Sequence, residues 1–294
     1  MLIAVASGKG GTGKTTVAVN LALTLQNKLP VTLLDCDVEE PNAHLFLQPA
    51  FTKQEKVLTT MPVVDDTRCD GCGQCSVFCA FNAIAMVERR PMIFPELCHG
   101  CGGCSLACPT NAISEVSREI GRVDIGNSYN IQMSRGYLQI GSPLAPLVVG
   151  AVRETAPWDH SSKAIIIDAP PGTSCAVVAA AQNTDFCLLV TEPTPFGLND
   201  LRLAVELAKK LELPHGVVIN RAGLGDRGVY DYCHKKRLPI LMEIPFDKKY
   251  AACYARGGQL VEEFADLKSK FARLWDQIQA LGQCTTHPTG TGRG

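Results

Sequence analysis

Short apolar runs alternate along the 294-residue chain with segments whose apolar residues recur at helical spacing. The predicted strands are Leu2–Ala6, Val31–Asp35, Ile165–Asp168, Phe186–Thr191, His215–Asn220 and Pro239–Ile244. The predicted helices are Val17–Leu25, Pro146–Glu154, Gly197–Lys210 and Asp226–Lys236. Because strands that alternate with helices favour parallel pairing, the pattern predicts an α/β fold class with a doubly wound, mostly parallel sheet.

The alternation is interrupted between residues 60 and 115, where cysteines and glycines replace the apolar runs. This break predicts a small α+β domain inserted into the main domain. The predicted divisions are residues 1–59 and 116–281 of the main domain, the insertion at 60–115 and a disordered tail at 282–294. Directly after the insertion, residues 117–125 and 129–140 predict a hairpin that turns at Gly126 and Asn127.

A phosphate loop lies between the first predicted strand and the first predicted helix. The segment SGKGGTGKTT places Gly8, Gly13, Lys14 and Thr15 at the spacing of that motif. Glycines let backbone N–H groups surround phosphate oxygens, Lys14 is expected to reach the β- and γ-phosphates, and the Thr15 hydroxyl is expected to bind Mg²⁺. The predicted nucleotide contacts in this loop are Gly8, Lys9, Gly10, Gly11, Thr12, Gly13, Lys14, Thr15 and Thr16.

Acidic residues end two of the predicted strands. Asp35 and Asp37 follow the second strand, and Asp168 ends the strand that begins at Ile165. The carboxyl ends of parallel strands face the ligand crevice, so these carboxylates are expected beside the phosphate loop. Phosphoryl transfer requires mainly positioning and charge stabilisation, which such carboxylates and a Mg²⁺ ion supply.

Eight cysteines form one pattern twice. Cys69, Cys72, Cys75 and Cys79 have the spacing C-x2-C-x2-C-x3-C, and each recurs 29 residues further along as Cys98, Cys101, Cys104 and Cys108. This is the spacing of bacterial two-cluster ferredoxins, in which the fourth cysteine of each half ligates the other cluster. It assigns one [4Fe-4S] cluster to Cys69, Cys72, Cys75 and Cys108, and a second to Cys98, Cys101, Cys104 and Cys79.

Two details qualify that pattern. Zinc is the competing interpretation of paired cysteines, but the duplicated triplet-plus-one spacing favours iron–sulfur clusters. Cys108 is followed by Pro109, whereas Cys79 is followed by Ala80, which leaves the potential of the cluster held by Cys79 open. His99 is expected to be a neighbour of a cluster and not a ligand, because four thiolates already complete each set.

Composition limits the remaining possibilities. The net charge is −1 and no basic block suggests nucleic-acid binding. The chain carries no signal-peptide pattern and no apolar run of the ~18 residues that span a bilayer. We therefore expect a cytoplasmic protein without stable membrane insertion, and its 14 cysteines favour metal binding over disulfides.

Lys9 and the loop around it resemble the deviant phosphate loop of the MinD, ParA and nitrogenase iron protein superfamily. The resemblance implies a dimer, with itself or with a related ATPase, in which Lys9 reaches the phosphates of the partner subunit. It also implies that Asp37 orients the attacking water, that Asp35 and Asp168 belong to the Mg²⁺ site, and that Gly172 donates its N–H to the γ-phosphate. A solvated Lys9 is the alternative.

The same resemblance implies the base-binding residues. They are Asn220 and Arg221 at the end of one strand, with the loop formed by Pro245, Phe246 and Asp247. Cys175 lies at the offset of a subunit-bridging cluster ligand in the nitrogenase iron protein, but a small buried helix residue is the favoured interpretation. The apolar stripe of a last helix, predicted over Gly258 to Leu281, is assigned to core packing in preference to membrane binding.

The leading functional hypothesis is a dimeric Mg-ATP-hydrolysing enzyme that couples nucleotide-driven change to electron transfer through two [4Fe-4S] clusters to a redox partner. One alternative is a spatial organiser like MinD or ParA. The other is an ATPase that assembles or carries iron–sulfur clusters for a client protein. Carriers of the Mrp group bind a labile cluster through a C-x-x-C pair near the C-terminus, whereas Cys233, Cys253 and Cys284 are isolated here.

Overall fold

The computed structural model describes residues 1–156 and 163–283. The strands are β1 (Leu2–Ser7), β2 (Val31–Asp35), β3 (Ala50–Val64), β4 (Ile84–Val87), β5 (Arg90–Ile93), β6 (Ile113–Ser128), β7 (Ile131–Leu138), β8 (Ala164–Pro171), β9 (Phe186–Thr191), β10 (His215–Ala222) and β11 (Ile240–Pro245). The helices are α1 (Lys14–Leu25), α2 (His44–Leu47), α3 (Gln74–Phe78), α4 (Gly103–Ala107), α5 (Ala145–Glu154), α6 (Cys175–Ala181), α7 (Pro195–Lys210), α8 (Gly228–Lys236), α9 (Lys248–Ala255), α10 (Leu260–Glu263) and α11 (Ala265–Gln283).

Nine strands form the main sheet in the order β11-β10-β9-β1-β8-β2-β7-β6-β3. The pairs from β11 to β7 are all parallel. Strand β1 is buried on both faces: Leu2 and Ala4 pack with α5 to α8, whereas Ile3 and Val5 pack with α1, α10 and α11. This burial explains the continuous apolar runs, because a parallel sheet is covered by helices on both sides.

The other edge of the sheet is an antiparallel ribbon. Strand β3 pairs with β6 from Ala50 opposite Asn127 to Val64 opposite Ile113, and β6 pairs in turn with β7. Most of β3 is exposed, and charged pairs such as Lys56 with Glu119 at 2.8 Å cover this edge. Charged side chains of this kind protect an edge strand from pairing with other chains. We call β3 and β6 together the ribbon.

The ribbon carries residues 65–112, which we call the cysteine module. It contains α3, α4 and the two-stranded sheet of β4 and β5. Gly73 precedes α3 with a φ of 76° and Gly102 precedes α4 with a φ of 73°, so the sequence repeat is also a repeat of backbone conformation. The predicted boundaries at residues 60 and 115 fall inside β3 and β6.

Three details of the predicted elements were wrong. The β6–β7 hairpin turns at Tyr129 and Asn130 and not at Gly126 and Asn127, because both of those residues pair within the ladders. The predicted last helix is two helices, α10 and α11, since the backbone is extended at Phe264. Strand β3 and helix α9 were not predicted.

The apolar stripe of α11 packs into the core, as predicted. Its residues Leu267, Phe271, Leu274 and Ile278 are fully buried. Among the described residues, none of the helices has both the length and the apolar character needed to cross a bilayer. The predicted tail falls largely outside the described residues, apart from Gly282 and Gln283 at the end of α11.

Candidate nucleotide site and cysteine cavities

The phosphate loop connects β1 to α1 and passes close to two other segments. A Cβ atom on Gly8 would lie 2.1 Å from the Asp200 carbonyl oxygen, so only glycine fits there. Gly13 has a φ of 96°, and a Cβ there would lie 2.3 Å from Asn220 Nδ2. Close packing and a positive φ therefore account for these two glycines.

Most of the predicted nucleotide contacts line one cavity of about 420 Å³ above the carboxyl ends of the strands. The predicted residues in its wall are Gly10, Gly11, Gly13, Lys14, Thr15, Thr16, Asp37, Asn220, Arg221, Pro245, Phe246 and Asp247. Gly8, Lys9, Thr12, Asp35, Asp168 and Gly172 do not line it. The chain segments that supply the wall are far apart in sequence and meet because parallel strands end at the same edge.

A carboxylate and a hydroxyl meet beneath the phosphate loop. Thr15 Oγ1 donates a hydrogen bond to Asp168 Oδ2 at 2.6 Å. Asp168 Oδ1 is buried and has no hydrogen-bond partner among the residues that the structure describes. Burial raises the pKa of Asp168, and burial together with the charge of Asp168 raises the pKa of Asp35. An unpartnered buried carboxylate oxygen beside a hydroxyl fits a Mg²⁺ site, because hard cations bind oxygen ligands and would offset the concentrated negative charge.

Asp35 is held by the backbone that follows it. Its carboxylate accepts hydrogen bonds from the N–H groups of Asp37 at 3.3 Å and Ala43 at 3.0 Å. Asp37 lines the cavity, and burial raises its pKa to about 6, against the opposing effect of Lys14. Of these two carboxylates, Asp37 faces the cavity, whereas Asp35 fixes the loop that presents it.

Lys9 forms an ion pair within the chain. Its Nζ lies 2.6 Å from Glu192 Oε1, and Glu192 Oε2 accepts a hydrogen bond from Arg221 at 2.9 Å. Glu192 is buried, and the two cations keep its pKa below the usual range despite that burial. Glu192 was not predicted from the sequence. It connects the phosphate loop with the end of β10.

Some of the residues predicted to bind the base already form hydrogen bonds within the protein. Asn220 Nδ2 donates to the Thr12 carbonyl at 2.8 Å, and Asn220 Oδ1 accepts from the Arg221 N–H. Asp247 caps α9 by accepting from the Lys249 N–H.

The Gly172 N–H donates to the Ser7 carbonyl at 2.9 Å and does not face the cavity. A γ-phosphate contact by Gly172 would therefore require that bond to break.

Sequence reasoning missed several residues in the cavity wall. They are Glu39, Glu40, Asn42, Pro171, Ile244, Tyr250, Ala251, Tyr254 and Leu260. Tyr250 and Tyr254 lie one turn apart on α9, next to the predicted loop at Pro245. Two aromatic residues at that helical spacing were the signal that could have revealed them.

Each predicted cysteine quartet surrounds its own cavity. Cys69, Cys72, Cys75 and Cys108 line a cavity of about 20 Å³. Cys79, Cys98, Cys101 and Cys104 line a second cavity of about 80 Å³. Within the described parts of the chain, no group of three or more His, Cys, Asp or Glu side chains is arranged to hold a single metal ion. The thiols thus surround spaces and do not converge on a point.

Backbone amides point at two of the sulfurs in the same way. The Ala83 N–H donates to Cys79 Sγ at 3.3 Å, and the Ala112 N–H donates to Cys108 Sγ at 3.2 Å. Such hydrogen bonds stabilise thiolates and tune iron–sulfur centres. Burial raises the pKa of Cys75, and the neighbouring Cys108 and Cys69 raise it further. Four thiols around one space, with amide donors to sulfur, fit a cluster that would hold them as thiolates.

Cysteines outside the quartets are dispersed. Cys175 is exposed at the start of α6, in contrast to the predicted buried position. Cys233 and Cys253 are buried on different helices. Cys284 lies outside the described residues.

Comparison with known proteins places this geometry in a family. Residues 3–261 match the CobQ/CobB/MinD/ParA nucleotide-binding domain. A relative of uncharacterised function from Methanocaldococcus jannaschii is 31% identical over 95% of this chain and 97% of its own length. An iron-sulfur cluster carrier protein of Pyrococcus horikoshii is 26% identical, with 84% of this chain and 74% of the carrier covered.

The fold has a counterpart among solved structures. The septum site-determining protein MinD of Pyrococcus horikoshii, solved with Mg-ADP, superimposes with a TM-score of 0.59. It is 19% identical and covers 98% of this chain and 99% of that protein. The family match spans residues 3–261, and the chain therefore belongs to the CobQ/CobB/MinD/ParA nucleotide-binding family.

Proposed function

We propose that this protein is a dimeric, Mg-dependent ATPase that binds two [4Fe-4S] clusters in its cysteine module and delivers them to client proteins. The observation that carries the proposal is that one chain combines a nucleotide cavity with two complete cysteine quartets. The similarity to an iron-sulfur cluster carrier favours cluster delivery over the electron transfer predicted from the sequence.

Exposure of the quartets supports delivery. Cys72 and Cys101 occupy equivalent positions in the two repeats, and both are exposed. A cluster that passes to an acceptor must exchange its ligands one at a time, so one accessible thiolate per quartet gives the acceptor thiol a place to attack. The more buried Cys75 and Cys104 would hold the cluster until that exchange.

The proposed hydrolysis uses the residues around the phosphate loop. Lys14 and the loop amides bind the β- and γ-phosphates, and Thr15 with Asp168 holds Mg²⁺, which offsets phosphate charge when bound. Asp37 orients a water whose oxygen bonds to the γ-phosphorus while the bond to the β,γ-bridging oxygen breaks. ADP and phosphate leave. We expect Asp37→Ala to bind ATP within about threefold of wild type and to lose on the order of 10²-fold in hydrolysis rate, measured by phosphate release.

Dimerisation would involve Lys9. In the single chain Lys9 is paired with Glu192, and its side chain is about one-third exposed. We infer that ATP draws Lys9 from Glu192 to the phosphates of the partner subunit, so that two chains close around two nucleotides. Sedimentation with a non-hydrolysable ATP analogue tests this step. A dimer that forms in wild type but not in Lys9→Ala supports it, and equal dimerisation contradicts it.

Nucleotide-gated electron transfer is the second candidate. It is favoured by the duplication itself, because eight cysteines in the two-cluster ferredoxin arrangement suit clusters that stay in place. In that case the bound nucleotide would change the distance or orientation between the cysteine module and a redox partner. The clusters would keep their iron.

Cluster transfer to an acceptor distinguishes the two candidates. The protein, loaded anaerobically, is mixed with an apo-enzyme that gains activity on receiving a [4Fe-4S] cluster. Delivery predicts that ATP accelerates activation and that Lys14→Ala removes the acceleration. Retention of iron in every nucleotide state, with a midpoint potential that differs between ADP and an ATP analogue, would reject delivery and favour electron transfer.

A further inference from the structure

Helix α2 stands between the nucleotide site and the ribbon. Its N-cap, Ala43, donates its N–H to Asp35 Oδ2 at 3.0 Å. At the other end, the Ser128 hydroxyl donates to the Leu47 carbonyl, and Ser128 is the last residue of β6. Gln48 then ends the helix with a φ of 47°, and β3 begins two residues later. One turn of helix thus connects a carboxylate of the site with both strands of the ribbon.

Tyr254 joins this helix to the nucleotide cavity. Its side chain lines the cavity, and its ring centroid lies 4.7 Å from that of Phe46 on α2. Burial raises the pKa of Tyr254, and the nearby Thr16 side chain opposes that effect. Gln259 Nε2 also donates to the Phe46 carbonyl at 2.9 Å. Tyr254 therefore shares the cavity wall with Thr16 of α1 on one side and contacts α2 on the other.

Tyr250 provides an internal comparison. It lies one turn earlier on α9 and lines the same cavity. Its ring meets Phe264 edge-on at 4.8 Å, and its hydroxyl donates to Asp266 at 3.4 Å. Tyr250 therefore faces the last helix, whereas Tyr254 faces the helix that leads to the ribbon.

We propose that Tyr254 contacts the bound nucleotide and, through Phe46 of α2, transmits nucleotide occupancy to the ribbon that carries the cysteine module. A nucleotide that fills the cavity must pack against Tyr254 or displace it from Thr16. Phe46 is buried in the core, where dense packing passes a displacement to its neighbours instead of absorbing it. Movement of α2 then reaches β3 through the chain and β6 through Ser128.

Hydrogen–deuterium exchange of the full-length protein, without clusters, tests the proposal. The exchange of residues 50–64 and 113–128 is compared without nucleotide and with Mg²⁺ and a non-hydrolysable ATP analogue. Wild type is expected to show a difference in both strands. Phe46→Leu retains an apolar side chain, and Phe46 does not line the cavity. This variant is therefore expected to bind the analogue within about threefold of wild type. It is expected to lose most of the nucleotide-dependent difference in exchange.

Two further variants distinguish the effect of the Tyr254–Phe46 contact from a general loosening of the packing around the cavity. Tyr254→Leu is expected to lose the same difference and to bind the analogue more weakly. Tyr250→Leu also removes an aromatic ring from the cavity but is expected to retain the difference in the ribbon. In each variant, unchanged exchange in β1 and β9 shows that the core is intact.

The proposal is overturned if Phe46→Leu retains the wild-type difference, if Tyr250→Leu loses it equally, or if wild type shows none. The effect on the module rests on the proposed function, but the exchange measurement needs no iron. If nucleotide changes the exchange of the ribbon but the protein fails to transfer clusters, cluster delivery is rejected. The proposed connection from Tyr254 through Phe46 to the ribbon is then still supported.

Discussion

The nucleotide cavity and the cysteine cavities are built in opposite ways. The nucleotide cavity draws its wall from segments between Gly10 and Leu260 and is rich in charged and polar groups. The cysteine cavities come almost entirely from residues 69–115, with Thr60 and Pro62 of β3 added to one of them, and thiols are their main polar groups. The first therefore depends on the whole sheet. The second depends on a short repeat, which the ribbon joins to that sheet in the part of the chain that the structure describes.

This difference implies that the two regions can be disabled separately. We expect a substitution in the phosphate loop to leave the contacts of the cysteine module unchanged, and the reverse. In the described part of the chain, the ribbon and the elements that touch its base connect the two regions.

Lys14→Ala should greatly slow ATP hydrolysis and leave the cysteine module unchanged. Lys14 is buried beneath the loop, where under the proposed hydrolysis its fixed positive charge would stabilise the transferring phosphoryl group. We expect the rate of ATP hydrolysis to fall by on the order of 10²–10³-fold, with iron content unchanged. Lys28→Ala, which alters an exposed lysine beyond α1, serves as the control and should leave both unchanged. Loss of iron in Lys14→Ala would contradict the separation.

Cys104→Ser should have the reciprocal effect. It removes one thiolate from the second quartet, so about half of the iron should be lost while ATP hydrolysis continues. Cys175→Ser is the matched control, because Cys175 is an exposed cysteine outside both quartets. Iron analysis and phosphate release measure the two results. An equal loss of iron in Cys175→Ser would contradict the assigned ligand sets.

The two quartets should themselves differ in potential. Asp70 accepts a hydrogen bond from the Cys72 N–H at 3.1 Å, whereas its counterpart in the repeat, His99, stacks on Phe81 at 3.8 Å. A carboxylate near a cluster opposes the addition of an electron. Asp70→Asn retains an oxygen that accepts this bond, and it should raise one midpoint potential by some tens of millivolts.

Anaerobic titration followed by EPR measures that shift. Asp66→Asn, which alters an exposed carboxylate that lines neither cavity, is the control. A potential unaffected by Asp70→Asn would show that the charge of Asp70 does not set the difference between the two halves.

The smallest effect is expected from Ala80→Pro. Cys79 and Cys108 have similar backbone angles, with φ and ψ of −72° and 100° in one case and −79° and 110° in the other, and Pro109 follows the second. A proline that fits the folded conformation stabilises by restricting the unfolded chain. The free energy of unfolding should rise by about 0.4–1 kcal/mol, measured by denaturant titration. Destabilisation would show that residue 80 cannot adopt the conformation of its counterpart.

Local patterns explain what the sequence could predict. The cysteine quartets and the phosphate loop are short motifs, and the sorting of the eight thiols into two cavities matches the spacing-based assignment. Tyr254 and Glu192 were missed because their roles arise from neighbours far away in the chain, Phe46 in one case and Lys9 in the other. Strand β3 was missed because Lys53, Glu55 and Lys56 suit an exposed edge and hide the apolar alternation.

The metal content of the anaerobically purified protein decides whether the cysteine module binds iron–sulfur clusters. Two [4Fe-4S] clusters predict about eight iron atoms and eight acid-labile sulfides per chain. After reduction, EPR should show the signals of two interacting clusters. Cys75→Ser should remove about half of the iron. One or two zinc atoms per chain, without sulfide, would contradict the assignment of the cysteine module and, with it, the proposed delivery of clusters.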